Sequence, residues 1–272
     1  MKKIKTRQPN KILGQHFLKC SSVIKKIIES AEINSYDEIL EIGPGNGVLT
    51  IPLSRLAGRV IAVEKDEKLA ENLKNLLAEK NIKNVDVIAA DILKIAPDLT
   101  KYLTLAKPYK VVANIPYYLT SRLIRILTES PNRPKEIIML IQKEVAERIV
   151  AEPPKMNLLA LGVKTHGNPK ITWYVPASCF WPKPKVNSAI IKISDISSDL
   201  FEKNQVDEKR FFQLAKAAFS QKRKVLANSL AKIMDSKDKT TKILEKSGIS
   251  PLKRPEELSI NDWLKIYKNW LI

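Results

Sequence analysis

Apolar residues recur along this chain with two different periods. Runs of four to six apolar residues ended by Gly, Pro, Asn or Asp read as buried strands. Longer stretches with apolar residues three and four apart read as helices. The pattern predicts strands over residues 38–42, 59–64, 85–89, 110–114 and 136–141. It predicts helices over 21–31, around Leu49, Leu53 and Leu56, over 67–80 and over 121–128. Ser21 or Ser22 is the expected cap of the first helix. Alternation of strand and helix implies a parallel sheet covered on both faces. Two further strand-like stretches, 158–166 and 188–193, are joined by a Pro-rich loop and predict an antiparallel hairpin at one sheet edge. Residues 194–206 are polar and read as a linker. From Asp207 onward the periodicity is helical throughout, and Ser259-Ile260-Asn261-Asp262 has the form of a capping box before the last helix. The expected division is therefore residues 1–196 as an α/β domain and 197–272 as a small all-helical one. Residues 1–12 are basic and polar and read as a loose arm.

Charge changes the picture. Lys and Arg number 47 against 29 Asp and Glu, a formal net charge of +18 over 272 residues. An excess that large favours a polyanionic partner, nucleic acid above all, with a Lys-rich solvated surface as the plain alternative. No apolar run approaches the roughly 18 residues of a membrane-spanning helix, and no apolar stretch follows the basic N-terminus, so neither membrane insertion nor a secretory signal is expected. Two cysteines, Cys20 and Cys179, make no disulfide framework, which points to a reducing compartment. His16 and His166 are far apart, and no Cys or His pair has ligand spacing, so no metal is expected.

Three strand ends carry the candidate chemistry. Glu41-x-Gly43-x-Gly45-x-Gly47 joins a strand to a helix, and glycines there let backbone approach a ligand closely. The dinucleotide fingerprint needs its third Gly one place later, where Val48 stands, so the turn suits a ligand without a diphosphate, such as a nucleoside. Glu64 ends the next strand at the usual position of a ribose-binding acid, and Asp91 ends the third within reach of a base amine. The plain alternative is that both merely cap helices. Asn114-Ile115-Pro116-Tyr117 ends the fourth strand. The Asn114 side-chain oxygen and the Ile115 carbonyl are two acceptors, Pro116 stiffens the turn, and Tyr117 adds a flat ring. That set suits a planar target with an exocyclic NH2.

With these motifs the chain resembles the class I S-adenosylmethionine-dependent methyltransferases, and over its whole length the small-subunit (16S) ribosomal RNA adenine dimethyltransferase family. Five stretches carry the likeness: Leu13-Gly14-Gln15-His16-Phe17-Leu18, the stretch from Glu41 to Thr50, Asn114-Ile115-Pro116-Tyr117, the Pro-rich stretch from Val175 to Ser188, and the stretch from Phe219 to Leu226 that contains Gln221-Lys222-Arg223-Lys224. The resemblance implies a Rossmann-like domain with a seven-stranded, mostly parallel sheet. S-adenosylmethionine would be held by Gly43, Gly45, Glu64, Asp91 and Asn114, with His16 and Leu18 closing over it. Asn114, Ile115 and Tyr117 would be catalytic, and Tyr117 and Phe180 would sandwich an extruded adenine. Lys222, Arg223 and Lys224, expected on a helix, would bind RNA, with Lys209, Arg210, Lys216, Arg122 and Arg125 extending that face. The implied activity is N6-dimethylation of adjacent adenines near the 3′ end of 16S rRNA, by a cytoplasmic monomer acting on the assembling 30S particle. Three positions depart from the family pattern: His16 where Asn is frequent, Cys179 where Ala is, and Asn187 where Asp is. A resistance-type methyltransferase of large-subunit rRNA, a non-catalytic assembly factor and a nicotinamide dehydrogenase are the competing readings. The Pro-rich loop, the intact Asn-Ile-Pro-Tyr turn and the glycine spacing argue against them in that order.

Overall fold

The computed structural model describes residues 16–96, 99–102, 108–221 and 223–271. It divides into two compact units. The first contains residues up to Ala146 together with Asn168–Ile196. The second contains Glu147–Gly167 and Ser197–Ile272. The expected boundary near 196 is linear, whereas the structure assigns the segment 147–167 to the helical unit.

The first unit is built on strands β1 (Phe17–Leu18), β2 (Glu38–Ile42), β3 (Arg59–Glu64), β4 (Val85–Ala89), β5 (Tyr109–Ala113), β6 (Glu136–Gln142), β7 (Asn168–Val175), β8 (Phe180–Trp181) and β9 (Ser188–Ser194). Seven of them form one sheet in the order β4-β3-β2-β5-β6-β9-β7, and β1 pairs with β8 in a separate two-stranded ribbon. β2 to β6 are mutually parallel, and β9 runs antiparallel to both β6 and β7. The central strands β2 and β5 are buried at every residue, as strands covered on both faces must be. Their helices are α1 (Ser21–Ala31), α2 (Thr50–Ser54), α3 (Glu67–Glu79), α4 (Ile92–Ile95), α5 (Leu99–Tyr102) and α6 (Thr120–Glu129). Val23 and Ile27 of α1 pack with Val112, Leu140 and Ile190 of the sheet. Neither Ser21 nor Ser22 caps α1. Cys20 occupies the cap position without a side-chain bond.

One charged residue lies inside β5. The Lys110 ammonium donates to the carbonyls of Ala31 and Glu32, each at 3.0 Å, and pairs with Asp37 at 3.0 Å. Its three N–H groups are thus matched by acceptors, the condition under which a buried charge is tolerated. It sits at the amino end of the strand, opposite the end that carries Asn114.

Several expectations need correction. The stretch 158–166 is not a strand. α7 (Lys143–Ile149) is followed by α8 (Leu158–Lys164), whose cap is Asn157, accepting from the N–H groups of Leu159 and Ala160. A short apolar run reads equally as strand or buried helix, and here the cap decides. The edge hairpin exists, but it is made by β7 and β9. The supposed linker contains α9 (Asp199–Asn204), which buries Phe201. The two cysteines are joined, Cys20 to Cys179, with Sγ atoms 2.32 Å and Cα atoms 5.1 Å apart. Their distance in sequence concealed this, because only the β1–β8 pairing brings them together.

The second unit adds α10 (Glu208–Phe219), α11 (Leu226–Leu230), α12 (Lys237–Lys246) and α13 (Ile260–Trp270). Phe211, Leu214, Ala218, Leu230, Trp263 and Tyr267 share its core. Ser259 and Asp262 form the expected capping box. His166 is buried here. Its Nδ1 donates to the Gly162 carbonyl at 2.8 Å, its Nε2 faces Glu208 at 3.1 Å, and its ring stacks on Phe212.

Candidate active site

The sheet order reverses between β2 and β5. The chain walks outward from β2 through β3 to β4, then returns to the other side of β2 with β5. Ligands of open α/β sheets bind at such a point, beyond the carboxyl ends of the strands. The parallel registers pair Ile42 with Val63 on one side and with Ala113 on the other. The next residues, Gly43, Glu64 and Asn114, therefore stand in a row about 5 Å apart at one edge. That edge opens into a cleft. His16, Leu18, Gly43, Gly45, Glu64, Asp91, Asn114, Ile115, Tyr117 and Phe180 all line it. The remainder of the first motif, Leu13 to Gln15, lies outside the described residues.

All three glycines of the turn have positive φ, and Gly47 is the most crowded, since a Cβ there would lie 2.7 Å from Leu73 Cδ1. Gly43 has φ +71°, and a Cβ there would meet the Asn114 backbone oxygen at 3.4 Å. Gly45 has φ +56°, and a Cβ there would meet the Phe17 ring at 3.3 Å. A side chain at either residue would be strained and would fill the floor of the cleft.

Glu64 is 6% exposed. One carboxylate oxygen accepts from the Gly45 N–H at 3.0 Å and the other from the Asp66 N–H at 2.9 Å. Burial raises its pKa above the ordinary value, and those backbone donors pull it back. It does not cap the following helix, because Asp66 does. Each oxygen keeps a second lone pair. Asp91 does cap a helix, accepting from the Leu93 N–H at 3.0 Å, and it also pairs with Lys65 at 2.8 Å. The Lys65 hydrogen bond holds its pKa below the usual carboxylate range. Asp91 thus fulfils the plain alternative while also lining the cleft.

Among the described residues, no group forms a hydrogen bond with the Asn114 side chain, and its amide borders the cleft. Tyr117 is fixed from two directions. Its hydroxyl lies 2.7 Å from the Ser188 hydroxyl, and its ring stacks on His16 at 5.9 Å. Burial raises the phenol pKa, so the group stays neutral. The Nδ1 of His16 donates to the Pro182 carbonyl at 2.7 Å, which leaves Nε2 as the acceptor of the neutral ring. Phe180 is buried in the core cluster and also lines the cleft. Asn187 supports this roof by accepting from the Ala177 N–H at 3.0 Å. An Asp would make the same bond, so this departure from the family pattern is conservative.

Sequence reasoning missed two participants. Ser188, at the start of β9, anchors Tyr117 across 71 residues. Glu41, on β2 beneath the glycine turn, is 1% exposed and has no hydrogen-bond partner on either oxygen. The Thr50 hydroxyl is near it but makes no bond of ordinary geometry. An acid flanking a glycine turn was visible in the sequence, but its burial was not. Of the basic cluster, Lys222 lies outside the described residues. Arg223 and Lys224 are exposed, in a turn between α10 and α11 rather than on a helix, where the Lys224 N–H donates to the Gln221 carbonyl at 2.9 Å. Lys209, Arg210 and Lys216 are exposed on α10.

Close backbone approach, a buried diol acceptor and an apolar slot made by Leu18, Val63 and Ile92 fit an adenosine carrying an amino-acid tail. Fold and cleft together define a Rossmann-like S-adenosylmethionine-dependent methyltransferase. The profile of the ribosomal RNA adenine dimethylase family matches residues 6–271, and the chain belongs to that family. It is 42% identical over 262 residues to the ribosomal RNA small subunit methyltransferase A of Dehalococcoides mccartyi, covering 96% of this chain and 88% of that one. The protein of the same name in Fusobacterium nucleatum is 38% identical over 257 residues, covering 94% and 95%. A dimethyladenosine transferase from Plasmodium falciparum superposes with a TM-score of 0.79 at 28% identity, covering 92% and 96%. The fold is shared with the 23S rRNA methyltransferase ErmE, with a TM-score of 0.73 at 24% identity, covering 94% and 100%.

Burial pushes the Glu41 carboxyl from 4.5 up to about 8. Between those values the unfolded chain releases this proton and the folded chain keeps it, so stability falls as pH rises. Urea unfolding from pH 5 to 8 should show a loss of at most about 1.4 kcal/mol per pH unit from this group. Glu41→Gln should flatten the profile. Parallel profiles for wild type and variant would show that Glu41 ionises normally.

Proposed function

We propose that this chain dimethylates N6 of two adjacent adenines near the 3′ end of small-subunit rRNA, acting as a cytoplasmic monomer on the assembling 30S particle. The observation that carries the reading is the row of Gly43, Glu64 and Asn114 at the reversal of the sheet, with Tyr117 fixed beside it. S-adenosylmethionine supplies an electrophilic methyl on a sulfonium. On this reading Glu64 holds the ribose hydroxyls through its spare lone pairs. Gly43 and Gly45 admit the amino-acid end, and Leu18 and His16 close over it, with Asp91 at the adenine side.

The chain's task is then to prepare the nucleophile. The lone pair of an adenine amine is delocalised into the ring. The Asn114 oxygen and the Ile115 carbonyl accept its two N–H bonds, favour a pyramidal nitrogen and stabilise the positive charge that develops on it. Holding that nitrogen in line with the methyl removes much of the entropic barrier. Tyr117 and Phe180 hold the extruded base between them. Such stacking is worth about 1–3 kcal/mol per base and offsets the cost of unstacking it from RNA. No general base is required, because the proton can leave to solvent after transfer. The tight fixation of Tyr117 by Ser188 and His16 supports this role, since a ring that could swing away would not hold a base.

Labelled methyl transfer from S-adenosylmethionine to small subunits, large subunits and a DNA duplex, followed by nucleoside analysis, tests the proposal. Dimethyladenosine should appear in the small subunit alone. Label in the large subunit would move the assignment to the resistance-type reaction. In a reducing cytoplasm the Cys20–Cys179 pair would stand as two facing thiols. RNA docking by the helical unit is assigned to Arg223 and Lys224, with Lys222 beside them in sequence. Replacing Arg223 and Lys224 by Gln should weaken RNA binding and flatten the log–log salt dependence by about one unit or more. An unchanged slope would remove this turn from the RNA surface.

A further inference from the structure

The mechanism above leaves one feature of the first unit unused. Tyr174, on the edge strand β7, is 52% exposed, and the Lys143 ammonium stands 5.4 Å from its ring centroid. The register explains the pair. Tyr174 lies opposite Ala189, and Ala189 opposite Ile141. Lys143 follows Ile141 by two residues, at the start of α7, and its ammonium reaches the ring from there. Lys143 is also held at its backbone, whose N–H donates to the Asn187 carbonyl at 3.0 Å.

Position makes the pair informative. β7 and β6 both run antiparallel to β9, so Tyr174, near the end of β7, lies at the same sheet edge as Asn114. Three strand spacings separate β5 from β7, about 14 Å. A single strand covers that distance in about two to four nucleotides. The anchor of Tyr117, Ser188, is the direct neighbour of Ala189. Lys183 and Lys185 are exposed on the loop that leads into β9. A half-exposed aromatic ring on an edge strand contributes little packing, yet with a cation above it and two exposed lysines on the loop that leads into the neighbouring strand the surface suits a planar, anionic ligand. A nucleotide has both properties.

We infer that Tyr174 and Lys143 form a stacking subsite for an unpaired nucleotide of the substrate RNA, a few positions from the extruded adenine. Tyr174 takes the base, and Lys143, Lys183 and Lys185 face the phosphates. The inference rests on the RNA substrate proposed above. It adds a contact that fixes the register of the strand, and with it which adenine enters the cleft.

The test compares wild type with Tyr174→Thr, which keeps strand preference but drops the ring, and with Tyr174→Phe, which keeps the ring. Affinity is measured for small subunits and for their protein-free rRNA, with S-adenosylmethionine affinity as the control. Tyr174→Thr should bind both RNA forms about tenfold more weakly, with Tyr174→Phe close to wild type and cofactor affinity unchanged in each. Equal RNA affinities for wild type and Tyr174→Thr would overturn the subsite alone. A loss confined to whole subunits would assign the surface to a ribosomal protein and also overturn it. A wild type that binds neither RNA form would remove the proposed substrate and the subsite together.

Discussion

The site depends on the contact between two backbones. β2 and β5 are neighbours in register, so the glycine turn that follows one meets the Asn-Ile-Pro-Tyr turn that follows the other. A Cβ on Gly43 would lie 3.4 Å from the Asn114 carbonyl oxygen. That is an ordinary contact distance, and what reserves position 43 for glycine is its φ of +71°, which side-chain-bearing residues rarely adopt. Moving either turn by one residue would separate the cofactor cradle from the amine acceptors. The strands beneath, with Val111-Val112 and Ile39-Leu40 buried, make such a slip costly, because every side chain would move to the opposite, differently packed face of the sheet.

Around that contact the chain adds a roof and a clamp. The β1–β8 ribbon, which pairs Leu18 with Phe180, holds both over the cleft. Ser188 and His16 fix Tyr117. On the proposed reading each reduces the freedom of groups that must be in place before the base arrives, which is the main lever available when the methyl donor is already reactive. The arrangement has a cost in Glu41, a carboxyl buried under the glycine turn without a hydrogen-bond partner. Unsatisfied buried groups of this kind concentrate at functional sites, where stability is exchanged for a poised environment.

Much of this was legible in the sequence, and for a physical reason. Strands of the parallel sheet leave short, mostly apolar runs ended by turn residues, so β2, β3 and the half-buried edge strand β4 could be read to the residue from the sequence pattern. Their ends, together with that of β5, then located Gly43, Glu64, Asp91 and Asn114 without any three-dimensional information. What failed was what depends on long-range pairing. Residues 158–164 are apolar enough for either period, and only the cap at Asn157 and the packing of Leu161 in the helical core settle them as helix. Residues 199–204 are too polar to show that Phe201 anchors a helix. The burial of Lys110 inside its strand could not be read either, because its carbonyl acceptors lie 78 and 79 residues away in the chain. The basic residues after Gln221 fit a helical pattern until the turn before Val225 is seen.

The central claim is that the Asn114 side chain acts chiefly by preparing the nucleophile, with most of the affinity for either ligand resting on other residues. The most direct measurement is single-turnover methyl transfer by Asn114→Ala, alongside separate affinities for S-adenosylmethionine and small-subunit RNA. The account predicts that transfer falls about a hundredfold or more, while RNA affinity stays within a few-fold and most of the cofactor affinity remains. Loss of RNA or cofactor binding in step with transfer would contradict it and make Asn114 a binding residue instead.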